Sequence, residues 1–268
     1  MRQFVREYLL AVQFFTRIPV TGRLAGWVGF SPEMLRASAA HFPGVGVVVG
    51  TVAAAVFALL QAALPDTLFA PLVAAALSTV ATVMLTGGFH EDGLADVADG
   101  LGGSYNRERA LEIMKDSRVG AFGALALVLV LLCKVALLAL LGSQGLGIGY
   151  ICAALLAGHV VSRFVPLLLV YSLPHVGDTA QSKSKPLADQ ITPGRLLIAF
   201  LWSFGALALA NISLPAIDLL VACAAAGLAL LWMARLFRRR LQGFTGDCLG
   251  ATQQVCEVAF YLGLAVSP

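Results

Sequence analysis

Charge is scarce in this chain. Of its 268 residues only 12% are Asp, Glu, Lys or Arg, whereas 59% are hydrophobic and the mean hydropathy is +0.86. A soluble domain carries about a quarter charged residues, so that class is excluded and an integral membrane protein remains. The five cysteines form no C-x-x-C pair. Cys133, Cys152 and Cys223 lie in apolar runs, where a thiol acts as a small hydrophobe, and neither a disulfide framework nor a zinc site is implied. Residues 1 to 20 do not read as a signal peptide, because Arg6, Glu7 and Arg17 interrupt the apolar run and no small-residue cleavage site follows. A net charge of +3 and no basic arm exclude nucleic acid as a partner. No heme, iron-sulfur or flavin motif is visible.

Long apolar runs are what the chain has. Phe42 to Leu64, Leu68 to Thr86, Val119 to Leu141, Leu146 to Tyr171, Leu196 to Leu214 and Ile217 to Leu236 are each about long enough to cross a bilayer. A shorter run, Ala251 to Val266, contains Glu257. The expected fold is all-α: a polytopic membrane helix bundle of six to seven transmembrane helices, one integral membrane domain over residues 1–268. An interfacial helix precedes it, with Phe4, Tyr8, Ala11 and Phe15 on one face and Pro19 ending it. Gly44, Gly46 and Gly50 permit close helix approach, including that of a second copy in a homo-oligomer. The loops near Pro65, Ser143 and Pro215 contain no Lys or Arg, while the intervening ones collect them. By the positive-inside rule the N-terminus is cytoplasmic, membrane lipid surrounds the spans, and residues 87–118 face the cytoplasm.

That segment breaks the pattern. Residues 87–123 hold seven of the fifteen acidic residues, between apolar runs. On a helix, Asp92, Asp96 and Asp99 fall at i, i+4 and i+7 and project from one face, with His90 beside them. Like charges so placed repel, and a hard cation such as magnesium, which takes carboxylate and phosphate oxygens, relieves the repulsion. Gly87 and Gly88 break the preceding helix, and Asn106 is a candidate N-cap for a second helix carrying Arg107, Arg109, Lys115 and Arg118. A metal-binding acidic face beside phosphate-binding cations is what phosphoryl-type transfer requires. The alternative for residues 107–118 is a solvated helix whose charges pair along its own surface.

Four further places carry two readings each. Lys134 lies mid-span, where a charge is either functional or the partner of a carboxylate on another helix. Arg163, four residues after His159 and near a cytoplasmic helix end, either snorkels or contacts a substrate phosphate. The polar loop Ser172 to Arg195, with Lys183 and Lys185, is a connector or a phosphate contact. Asp247, between Gly246 and Gly250, is an N-cap or a further carboxylate at the metal-phosphate centre.

GGFHEDGLADVADG at 87 to 100, RERALEIMKDSRVGAFG at 107 to 123 and GFTGDCLGA at 243 to 251 resemble the signature segments of the cobalamin synthase family, the adenosylcobinamide-GDP ribazoletransferases. FFTRIPV at 14 to 20, HFPGVG at 41 to 46 and SRFVPLL at 162 to 168 are similar to that family's pattern too, so the resemblance runs the length of the chain. It implies a magnesium-dependent transferase at the bacterial inner membrane that closes the nucleotide loop of cobalamin. Adenosylcobinamide-GDP and α-ribazole, or its 5′-phosphate, would give adenosylcobalamin, or its phosphate, and GMP. Matched position by position, the family's acidic residues are Asp92, Asp96, Asp99 and Asp247, all expected to be catalytic and to hold metal, while Glu91 falls in a variable position. The ribazole 3′-hydroxyl would attack the phosphate on the aminopropanol arm. His90, or one of the aspartates, would accept its proton, and Arg107, Arg109, Lys115, Arg118 and Arg163 would bind phosphates.

A CDP-alcohol phosphotransferase motif begins at Asp96 and Asp99 but lacks its Ala-Arg. A transporter would place its acids near mid-bilayer in repeated halves, which this sequence does not have.

Overall fold

The computed structural model describes residues 2–177 and 191–267, and Lys183 and Lys185 lie outside them. The N-terminal segment folds as α1 (Arg2–Phe15), α2 (Gly22–Val28) and α3 (Pro32–Ser38), then a 3₁₀ turn, Ala39–His41. α1 buries Leu10, Ala11, Val12 and Phe15 and leaves Arg2 and Phe4 exposed, as its amphipathic pattern requires. Ser31 caps α3 by accepting from the Met34 amide, with Pro32 at the first helical position.

α4 (Phe42–Ala63) and α5 (Ala70–Thr86) form an antiparallel pair. α4 packs most extensively on α9 (Ile148–Ser172). A Cβ on Gly46 would stand 2.6 Å from the His159 carbonyl oxygen, and one on Gly50 2.9 Å from the Leu156 Cα. The close approach expected of these glycines is therefore made within the chain.

Gly87 and Gly88, at φ 69° and 71°, then turn the chain through 91° into α6 (Phe89–Gly103). Only glycine adopts two such residues in a row without strain. If α5 crosses the membrane, a right-angled α6 lies along its face. α7 (Arg107–Ile113) follows, with Asn106 as its N-cap through the Arg109 amide at 2.8 Å. The remaining helices are α8 (Ala121–Ser143), α9, α10 (Pro193–Ala210), α11 (Ala216–Arg240) and α12 (Gly246–Ala265).

Five described helical stretches are long and apolar enough to cross a membrane: Pro32–Ala63, α8, α9, α10 and α11. α5 joins them only together with α6 as a bent pair. α12 is not among them, because its middle is polar. Yet it is packed inside, against α6, α8, α9 and α11, with Gln253, Gln254, Glu257 and Tyr261 all buried. Glu257 explains how. Its carboxylate meets Lys134 Nζ of α8 at 2.8 Å and accepts from Gln253 (2.8 Å) and Tyr261 (3.1 Å), with His159 of α9 at 3.4 Å. Lys134 thus has the carboxylate partner on another helix that was one of its two readings. Ion pairing and hydrogen bonding together are what a charge buried in such a bundle needs.

Candidate active site

The ends of α5 and α11 and the starts of α8 and α12 come together, and α6 lies across them. Contact between α6 and α12 is backbone to backbone. A Cβ on Gly93 would be 2.8 Å from the Asp247 carbonyl oxygen, and one on Gly250 3.2 Å from that of His90. The glycines of DGLADVADG and GDCLGA therefore bring two acidic segments that are far apart in sequence to van der Waals distance.

Of the expected carboxylates, Asp92 is exposed, Asp96 and Asp247 are partly buried and Asp99 is buried. Partial burial first, and then the neighbouring Asp247, Asp92 and Asp99 charges, push the Asp96 carboxyl up to about 7. Burial likewise pushes Asp247 up to about 6, with the Thr245 hydroxyl opposing and the Asp92 charge adding to the rise. The repulsion read from the i, i+4 spacing is thus joined by a fourth carboxylate from another helix. Thr245, not Asp247, caps α12, accepting from the Cys248 amide at 3.4 Å. The Asp247 carboxylate accepts from the Thr245 hydroxyl at 3.3 Å and is close enough to feel the Asp92 charge.

Asp99 has a different task. Its two oxygens accept the Gly120 amide at 2.7 Å and the Gly123 amide at 2.8 Å, capping the start of α8. Among the described residues no group of three His, Cys, Asp or Glu side chains is arranged to enclose a metal ion.

His90 is buried and stacks on Phe42, with ring centroids 5.5 Å apart. Burial, and next the Arg163 charge, hold its imidazole well below the ordinary histidine range. It is a poorer proton acceptor than an unperturbed histidine. Arg163 is buried too, donating to the His159 carbonyl at 3.0 Å with its guanidinium near the Phe42 ring. Arg107 Nε donates to the Leu241 carbonyl at 2.7 Å, Arg109 pairs with Glu112 at 2.9 Å and Arg118 with Asp116 at 2.5 Å. Lys115 is exposed.

Three residues escaped the sequence reading. Glu91 accepts from Gln254 of α12 at 2.9 Å. Arg240 donates to the Leu101 and Ser104 carbonyls, at 3.0 and 2.7 Å, and so satisfies the end of α6. Arg17 crosses the α5–α6 corner, where a Cβ on Gly87 would collide with its guanidinium, and lines an open polar cleft with Thr16, Thr86 and Asp92. Its position inside FFTRIPV was the one available signal.

Residues 7–265 match the family model described as cobalamin-5-phosphate synthase. The chain belongs to that family. It is an enzyme of cobalamin synthesis. Proteins named adenosylcobinamide-GDP ribazoletransferase are similar to it over nearly their whole length. That of Polaromonas naphthalenivorans (strain CJ2) is 74% identical over all of both chains. The one from Polaromonas sp. (strain JS666 / ATCC BAA-500) is 73% identical, over 99% of this chain and 98% of the relative. That of Shewanella amazonensis is 42% identical, over 98% and 97%. No solved structure matches the enzyme.

Proposed function

We propose that the enzyme joins α-ribazole, or its 5′-phosphate, to adenosylcobinamide-GDP and releases GMP. The observation that carries this reading is the carboxylate cluster formed where α6 meets α12, in which Asp96 and Asp247 resist ionising together. Such a donor set suits a hard cation held by two carboxylates and substrate phosphates, and not an all-protein cage. Asp92 and Asp247 would hold magnesium, which when bound would neutralise charge on the departing GMP. Asp99 is left out, because capping α8 engages both its oxygens.

Asp96 takes the proton. A carboxyl raised to about 7 is matched to accepting one at neutral pH. As the ribazole 3′-hydroxyl oxygen bonds to the phosphorus on the aminopropanol arm, its proton passes to an Asp96 oxygen. The bond from that phosphorus to the bridging oxygen breaks, and GMP departs with that oxygen. Arg109, Lys115 and Arg118 stand exposed beside α6 for phosphate contacts; exposed pairs such as Arg118–Asp116 are weak enough to exchange. The setting is a bacterial inner membrane with this face cytoplasmic, a reading supported by the absence of Lys and Arg from the opposite loops.

The test uses purified, detergent-solubilised protein with both substrates, with and without magnesium, following GMP and cobalamin. Magnesium-dependent formation of both is expected. Folded protein that makes no product with any divalent ion would overturn the reading.

A further inference from the structure

Four arginines near the end of α11 divide between two directions. Arg240 turns inward, where it donates to the Leu101 and Ser104 carbonyls at the end of α6 and lies over the Tyr105 ring at 4.8 Å. Arg235, Arg238 and Arg239 are exposed, and among the described residues none of their side chains has a hydrogen bond or an ion pair. The arginines of the 107–118 segment are engaged instead, Arg107 by the Leu241 carbonyl, Arg109 by Glu112 and Arg118 by Asp116.

Placement on the helix says what the three free guanidinium groups meet. At about 100° per residue, Leu228, Leu231, Trp232, Arg235, Arg238 and Arg239 fall within one sector of about 120°. All six are exposed, Leu228 by 68%, Leu231 by 62% and Trp232 by 59%. Leu230, Met233 and Phe237, on the opposite side, are buried in the bundle. α11 is long and apolar enough to cross a membrane, so its outward leucines meet lipid chains. Along that face the side chains then change from apolar to cationic, with a tryptophan at the change. This is the order of hydrocarbon, interface and headgroup in a bilayer. Arg235 lies about 4.5 Å and Arg239 about 10.5 Å beyond Trp232 along the axis. Their flexible stems let both reach a headgroup layer about 5–7 Å deep.

Charge then decides which lipid. A zwitterionic headgroup carries its own cation beside the phosphate, and three unpaired guanidinium groups repel it. A headgroup whose phosphate is its only charge can take paired N–H donors from an arginine without that opposition. Substrate phosphates belong elsewhere, because α12, which carries Asp247, packs on the buried side of α11. We propose that Trp232, Arg235, Arg238 and Arg239 form a binding surface for anionic phospholipids of the leaflet on the active-site side. The surface does not depend on which reaction the enzyme catalyses.

The experiment uses full-length enzyme in nanodiscs of phosphatidylcholine and phosphatidylglycerol at fixed proportions, with bromine on the acyl chains of one lipid or of the other. Quenching of tryptophan fluorescence reports which lipid touches the protein. At equal mole fraction, brominated phosphatidylglycerol should quench more, by an amount that corresponds to a preference of about tenfold or more. Trp232→Phe should remove that excess, since Trp27 and Trp202 lie on other elements. Each arginine near the membrane surface is worth about fivefold in preference for an anionic headgroup. Arg235→Gln, Arg238→Gln and Arg239→Gln together should therefore bring the two lipids to within about twofold while Trp232 remains quenched by both, which shows that α11 still faces lipid. Arg239→Gln alone, the milder change, should lower the preference about fivefold. Equal quenching by the two lipids in the wild type would overturn the proposal. So would a Trp232 that neither lipid quenches, which would mean that a second copy or another protein covers the face. A triple variant that keeps the lipid preference and instead raises the KM for adenosylcobinamide-GDP would assign the arginines to substrate.

Discussion

Asp96 and Asp99 sit one turn apart on the same helix and do different things. Partial burial, and then the Asp247, Asp92 and Asp99 charges, raise the Asp96 pKa to about 7. Because a raised carboxyl is protonated below that value and a base must be ionised, kcat should fall as pH drops through about 7 at low magnesium. The midpoint should move to lower pH as magnesium increases, since a bound cation favours the ionised form. A pH–rate profile that magnesium does not move would dissociate the ion from this cluster. Asp96→Asn should abolish turnover while magnesium still binds, as read by calorimetry. Asp99→Ala should instead lower stability by about 1–2 kcal/mol through loss of the α8 cap, with Asn recovering part of it, as read in thermal melts. The i, i+4, i+7 spacing placed all three aspartates on one face. It carried no information on which would meet another carboxylate and which the amides of Gly120 and Gly123.

The pairing of α6 with α12 depends on Gly93 and Gly250, where any side chain would push two backbones apart. Gly93→Ala should reduce kcat about a hundredfold with every carboxylate in place, because a misplacement near 1 Å costs about that much. Normal kinetics for a folded Gly93→Ala protein would mean the two segments need not touch. The α5–α6 corner was legible in the sequence, since two consecutive glycines after an apolar run predict a break. The right angle was not, because it depends on Gly87 and Gly88 both taking φ near +70°, one of many conformations open to two glycines. α12 was the least legible element. Its polar residues made it look too short to span, and their partners are on α6, α8 and α9.

At the scale of the molecule, the bundle is locked by the buried Lys134–Glu257 pair joining α8 to α12. Removing one partner leaves the other charge buried and alone, so Lys134→Met or Glu257→Gln singly should destabilise by about 3–5 kcal/mol. The double variant should recover much of that in denaturation measured in detergent. Additive losses would show that the two charges are held by other groups.

Composition and apolar run length alone determined that this is a helical membrane protein, because few charges and runs of about 20 residues admit no other packing of backbone polar groups. Motif spacing likewise determined the family. Tertiary structure decided which carboxylates meet, which one caps a helix, that Arg163 lies buried and that Arg17 stands at the site. Each of those depends on contacts between residues far apart in the chain, and local sequence has no access to the helix that packs opposite.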